Sequence, residues 1–92
     1  MIFIWDPAKS AWNARERGLP FDVAMAMFDS PTLETPDTRF GYGEVRVKAV
    51  GTVGDAVLIC VYTDVRPDLR RIISLRAANR KERNAYRQAY PG

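Results

Sequence analysis

The chain has 92 residues, 47% of them apolar and 27% charged, which suits one small domain with a modest core and excludes a second. It contains no histidine and one cysteine, which removes histidine acid–base catalysis, Ser-His-Asp and Cys-His sites, most zinc sites and any internal disulfide. The net charge of +3 is uneven: residues 1–40 sum to −2 and residues 41–92 to +5.

Taken in chain order, Ile2-Phe3-Ile4-Trp5 is a β-branched and aromatic run that predicts a short strand. The opening lacks the basic region of a signal peptide and the longest apolar stretch, Ala56–Tyr62, is seven residues, so neither a leader nor a membrane span is expected. Asp6 as N-cap, Pro7 at the first helical position and Gly18 as terminator predict a helix over Pro7–Arg17, with Ala8, Ala11, Trp12 and the stem of Arg15 on one face. Phe21, Ala24, Met25 and Phe28 follow helical spacing and predict a second amphipathic helix over Phe21–Phe28. Asp29–Gly43 reads as a loop.

Three strands are expected next, over Glu44–Val50, Ala56–Thr63 and Leu69–Leu75, joined by short Gly- and Pro-containing turns as an antiparallel meander. In the first of them Val45, Val47 and Ala49 alternate with Glu44, Arg46 and Lys48, which predicts one buried face and one charged face. Asn79 and Glu82 have the spacing of a capping box that opens a last helix to about Ala89. The expected fold is α+β: a small antiparallel sheet with the two N-terminal helices on one face, the helices lying mainly on that side, and a C-terminal helix.

Eight of the fourteen basic residues follow Val65, namely Arg66, Arg70, Arg71, Arg76, Arg80, Lys81, Arg83 and Arg87. Seven of these are arginine, whose planar fork matches phosphate, so a polyanion is the expected partner. Cys60 within an apolar run fits a reducing cytoplasm.

Four strings occur in one order: Phe3-Ile4-Trp5-Asp6-Pro7-Ala8-Lys9, Gly18-Leu19-Pro20-Phe21-Asp22-Val23-Ala24, Phe28-Asp29-Ser30-Pro31, and Arg71-Ile72-Ile73-Ser74-Leu75-Arg76-Ala77-Ala78 followed by Glu82-Arg83 and Tyr86. Together they resemble the BrnT toxin family across Ile2 to about Tyr86. The resemblance implies a RelE-like fold, RNA cleavage that arrests translation, a BrnA-like antitoxin partner, and contact with operator DNA only through that antitoxin. The family pattern matches Trp5, Asp6, Lys9, Arg46, Arg71, Ser74, Arg76, Glu82, Arg83 and Tyr86. Three departures stand out: Glu16-Arg17-Gly18 replaces a usual Lys-His-Gly, Pro20 replaces a usual Ser or Thr, and Asn79 replaces a usual Thr cap.

RNA cleavage by internal transfer needs a base for the 2′-OH proton, cations for the extra charge of the phosphorane, and an acid for the leaving oxygen. The candidate catalytic residues are Arg46, Lys48, Arg71 and Arg76, and the candidate RNA-binding residues are Arg66, Arg70, Arg80 and Arg83. Carboxylates, Lys48 or Tyr62 are the available bases, the last two if cationic neighbours lower their pKa; no metal or cofactor is expected. A regular strand sets Arg71 and Arg76 on opposite faces, so Arg76 is expected past the strand end, bending inward. Glu82 reads as the capping-box partner and as a carboxylate able to orient Arg76 or Arg80. The competing reading is a non-catalytic nucleic-acid-binding or protein-interaction module, and a homodimer through the Met25/Phe28 face is a further expectation.

Overall fold

The computed structural model describes every residue except Arg39, Phe40 and Tyr42, so that part of the expected loop lies outside the described residues. Asp6 separates β1 (Ile2–Ile4) from α1 (Pro7–Arg17), and its Oδ1 accepts the Ala8 N–H at 2.9 Å. Gly18 closes α1 at φ 68°, a left-handed conformation that only glycine adopts without strain, and its N–H returns to the Ala14 carbonyl. These are the predicted bounds. The second helix, α2 (Val23–Met27), is shorter than predicted because Phe21 and Asp22 form a turn and the Phe28 and Asp29 N–H groups fall back to carbonyls three residues earlier.

The chain then forms β2 (Leu33–Pro36), β3 (Val47–Val53), β4 (Ala56–Arg66) and β5 (Leu69–Ala77), and ends in α3 (Arg80–Ala89). Strand order is β1-β5-β4-β3-β2, and β3, β4 and β5 make the expected antiparallel meander. Two expectations are corrected. The sheet is mixed, since β1 pairs with β5 in parallel, and residues 33–36 of the segment read as a loop pair with β3 as an edge strand. Pro36 hides this strand from a sequence reading, yet at the end of an edge strand its missing N–H costs no ladder bond. The first meander strand begins at Val47 instead of Glu44, and Val45, expected inside, is 78% exposed.

Helices cover both faces of the sheet, which corrects the expectation that they lie mainly on one. Helix α2 covers the core of Phe21, Ala24, Met27, Cys60, Ile72 and Leu75. Helix α3 covers a smaller cluster of Val50, Val57, Ile59, Ala78 and Tyr86 on the opposite face. Apart from Tyr86, α3 is polar or exposed, so Tyr86 and the capping box hold it down, with the Tyr86 hydroxyl donating to the Pro31 carbonyl at 2.7 Å. Among the described residues no helix is long and apolar enough to cross a membrane.

Register sets which side chains share a face. Tyr62 pairs with Ile72 and Val61 with Ser74, so Ile73 is an extra residue, a β-bulge in β5. The bulge turns both Ile72 and Leu75 into the core under α2 and leaves Arg71, Ser74 and Arg76 together on the α3 face. Arg76 therefore lies within β5, opposite Ile59, and joins Arg71 through the bulge and not by lying past the strand end.

Beyond Ile4, β5 has no strand partner on its outer edge among the described residues, and α1 side chains bond to it there. Asn13, buried in the middle of α1, donates from Nδ2 to the carbonyls of Leu75 at 2.9 Å and Leu19 at 2.7 Å, and Arg17 adds a bond to Leu75 O at 3.0 Å. An inward Asn explains why the face carrying Ala8, Ala11 and Trp12 points out.

Candidate active site

The first turn of α3 brings a carboxylate to the end of the sheet. Asn79 Oδ1 accepts the Glu82 N–H at 2.8 Å and Glu82 Oε1 accepts the Asn79 N–H at 2.9 Å, the predicted capping box. The same carboxylate receives a two-pronged bond from Arg76, Nη1 to Oε1 at 2.8 Å and Nη2 to Oε2 at 2.9 Å, and an ion pair from Lys48 Nζ at 2.9 Å. Glu82 thus links β3 and β5, the strands on either side of β4, to α3. Arg76, the Asn79 N–H and Lys48 hold its carboxyl far below the usual carboxylate range against the opposing effect of burial. A carboxylate so strongly stabilised is a poor proton acceptor and a good anchor. The Glu82 side chain is 12% exposed, whereas Arg76 at 40% and Lys48 at 37% keep cationic surface open to a ligand.

That surface opens on a cleft of about 460 Å³ lined by Arg17, Asp37, Lys48, Val61, Ser74 and Arg76, with residues 35–38 as one wall. Lys48 and Ser74 both sit beside Val61 in the ladder and so share its face. Arg46 and Arg71 meet at a second carboxylate, Glu44, at 3.1 Å and 2.8 Å. The Arg46 hydrogen bond, with Arg71, lowers the Glu44 pKa. The four expected catalytic residues thus form two carboxylate-linked pairs, Lys48 with Arg76 and Arg46 with Arg71, of which only the first lines the cleft.

The expected RNA-binding residues are more scattered. Arg70 lies on the opposite face, its guanidinium 3.8 Å from the Tyr62 ring centroid and 4.7 Å from that of Phe28, and bonded twice to Asp64 at 2.8 and 3.2 Å. It braces the core side of the sheet. Arg66 pairs with Asp68 in the exposed β4–β5 turn, Arg83 donates to the Ala78 carbonyl at 2.9 Å, and Arg80 is exposed at the start of α3.

Burial and a hydrogen bond to Glu34 push the Tyr62 pKa up, correcting the expectation that cations lower it. Burial likewise pushes the Cys60 thiol up to about 12, so it is an inert core residue. Of the Met25/Phe28 pair, Met25 is 40% exposed, while Phe28 is half-buried against Phe3 and Tyr62. Sequence reasoning passed over Glu44 and Arg17. Each lies beside a residue it did select or discuss, but the contacts that matter link Glu44 to β5 and Arg17 to the β5 edge, which no local pattern encodes.

The fold is an α+β domain whose cleft presents the cations Arg17, Lys48 and Arg76 to an anionic ligand. The family model described as "Ribonuclease toxin, BrnT, of type II toxin-antitoxin system" matches residues 5–82, and the chain belongs to this family of ribonuclease toxins. Membership implies an antitoxin partner. Among solved structures, the chain is similar to the 1.1 Å crystal structure of the Brucella abortus ribonuclease toxin BrnT, with a TM-score of 0.66 and 21% identity over 87% of this chain and 100% of that one. That likeness shows a shared fold. A search of curated proteins finds no match.

Proposed function

We propose that the chain, acting as one domain over residues 1–92, cleaves RNA by internal phosphoryl transfer and so inhibits translation, and that a BrnA-like antitoxin neutralises it. The observation that carries this reading is the Glu82 fork, which fixes Arg76 and Lys48 side by side at the rim of a cleft. In that reaction the 2′-oxygen attacks the adjacent phosphorus, the bond to the 5′-oxygen breaks, and the products carry a 2′,3′-cyclic phosphate and a 5′-hydroxyl. Arg76 and Lys48 meet the charge that gathers on the non-bridging oxygens, and because Glu82 already orients them, little reorganisation is needed as that charge develops. Asp37, a carboxylate that lines the cleft, is the group in reach to accept the 2′-OH proton, and solvent water supplies the proton of the leaving 5′-oxygen. Arg46 and Arg71, tied through Glu44, extend the same cationic face, and Arg66, Arg80 and Arg83 steer the polyanion from further out.

The reading is metal-independent, since guanidinium and ammonium groups supply the charge that a metal ion supplies elsewhere; among the described residues no three Cys, Asp or Glu side chains gather as ligands. It takes the fold as RelE-like and the setting as cytoplasmic, where RNA and a reduced Cys60 both belong. An antitoxin gains from covering Met1, Ile2, Ile4 and Val65, exposed apolar residues on β1 and the far end of β4, and an acidic one also neutralises the cleft. Operator DNA is reached only through that partner.

The test is to incubate the purified chain with single-stranded RNA in EDTA and analyse the ends. Fragments with 2′,3′-cyclic phosphate termini, absent when the nucleotide 5′ of the cut carries a 2′-deoxy sugar, are expected. Salt-dependent retention of intact RNA would instead make the chain a binding module.

A further inference from the structure

Trp12 is the largest side chain of α1 and is 47% exposed. It lines a cleft of about 390 Å³ with Lys9, Arg17, Ile73 and Ser74, and Arg17 sits over the indole with Cζ 5.4 Å from the ring centroid. This cleft adjoins the one that holds Lys48 and Arg76, with Arg17 and Ser74 lining both. The Trp12 cleft includes the bulge residue Ile73, past the end of the β1 pairing on the outer edge of β5. Among the described residues the Trp12 cleft is lined by two cations, Lys9 and Arg17, and by no carboxylate.

An open indole beside a cationic groove fits a nucleobase whose phosphates follow the groove: the ring offers a stacking face and the cations track the backbone. We propose that Trp12 is the stacking platform for an unpaired base of the RNA, next to the phosphate held by Lys48 and Arg76, with Lys9 and Arg17 meeting the connecting phosphates. This subsite rests on the RNA-cleaving reading of the neighbouring cleft and adds a selection for single-stranded over duplex RNA, because a base inside a helix cannot present its face. Stacking accepts every base, so the subsite chooses unpaired structure more than sequence.

The experiment uses the full chain and a short oligoribonucleotide carrying 2′-O-methyl sugars throughout, which blocks internal attack, beside an abasic oligomer of equal length. The Trp5→Phe variant leaves Trp12 as the only tryptophan, so quenching of its emission by the base-containing oligomer and not by the abasic one is expected. Should Trp5→Phe fold poorly, anisotropy of labelled oligomers with Trp5 retained gives the same comparison. Trp12→Ala should weaken binding of the base-containing oligomer by about tenfold, Trp12→Phe by less, and the abasic oligomer should bind the wild type and Trp12→Ala alike. Equal affinity of folded wild type and Trp12→Ala for the base-containing oligomer overturns the proposal, and so does a Trp12→Ala defect confined to capture of a co-expressed protein partner. Since the probe is never cleaved, a wild type that quenches but leaves ordinary RNA intact refutes the ribonuclease reading and upholds the subsite.

Discussion

Glu82 satisfies a helix end and orients two cations with the same two oxygens. Glu82→Gln keeps the shape but puts an amide donor against donors. We expect it to cost about 1.5 kcal/mol, the low end for hydrogen bonds to charged groups because Arg76 and Lys48 are each more than a third exposed. The sign with pH follows from the lowered pKa in the folded state. The contribution is complete above the ordinary glutamate value of 4.5 and is lost as pH falls below it toward the folded value. Urea midpoints should therefore separate the wild type from Glu82→Gln at pH 7 and converge in the acid range. A constant gap down to pH 2 would show that the charge is not what stabilises. The same variant should slow RNA cleavage by up to about 100-fold, the scale of losses from a misplaced catalytic group. The capping role of Glu82 was legible from Asn79-Arg80-Lys81-Glu82, and an orienting role toward Arg76 was foreseen from their nearness in sequence. The Lys48 arm was not, because Lys48 and Glu82 meet only once β3 and α3 are in place.

At the scale of elements, two contacts test the packing. A methyl group on Gly51 would lie 2.8 Å from Met27 Cγ and 3.1 Å from Thr32 Cγ2, so α2 sits against β3 only because residue 51 has no side chain. Gly51→Ala should destabilise by about 1–3 kcal/mol through overpacking, read as a lowered thermal midpoint. An unchanged midpoint would mean that Met27 moves aside at no cost. Helix α3 rests on Tyr86, and Tyr86→Phe should cost about 1 kcal/mol for the lost bond to the Pro31 carbonyl, with early loss of α3 amide protection in hydrogen exchange. Helix α1, the meander and the capping box were legible because caps and alternation are local signals. The parallel β1–β5 pair, β2 and the Ile73 bulge were not. Pairing partners lie far apart in sequence, Pro36 masks a strand, and a bulge leaves no mark in the run Arg71-Ile72-Ile73-Ser74. That one extra residue decides the site, since in a regular strand Ser74 and Arg76 would face away from Arg71.

For the molecule as a whole, the +5 half delivers cations to both faces, and only those on the cleft side should enter the RNA complex. Each lost phosphate contact lowers the slope of log binding constant against log salt by about 0.7 for a single strand. Lys48→Ala should reduce the slope by about that amount, whereas Arg70→Ala should lower stability and leave the slope alone; a reduced slope for Arg70→Ala would place RNA on the wrong face in this account. The central claim is that Arg76 stabilises the charge that develops during cleavage, and it is tested most directly by single-turnover cleavage of one RNA by Arg76→Ala and Arg87→Ala in EDTA, with folding checked by circular dichroism. Loss of one preorganised donor predicts a fall of roughly 10²–10³-fold for Arg76→Ala and little change for Arg87→Ala, whose charge sits in the last turn of α3. A folded Arg76→Ala that cleaves at the wild-type rate would contradict the site.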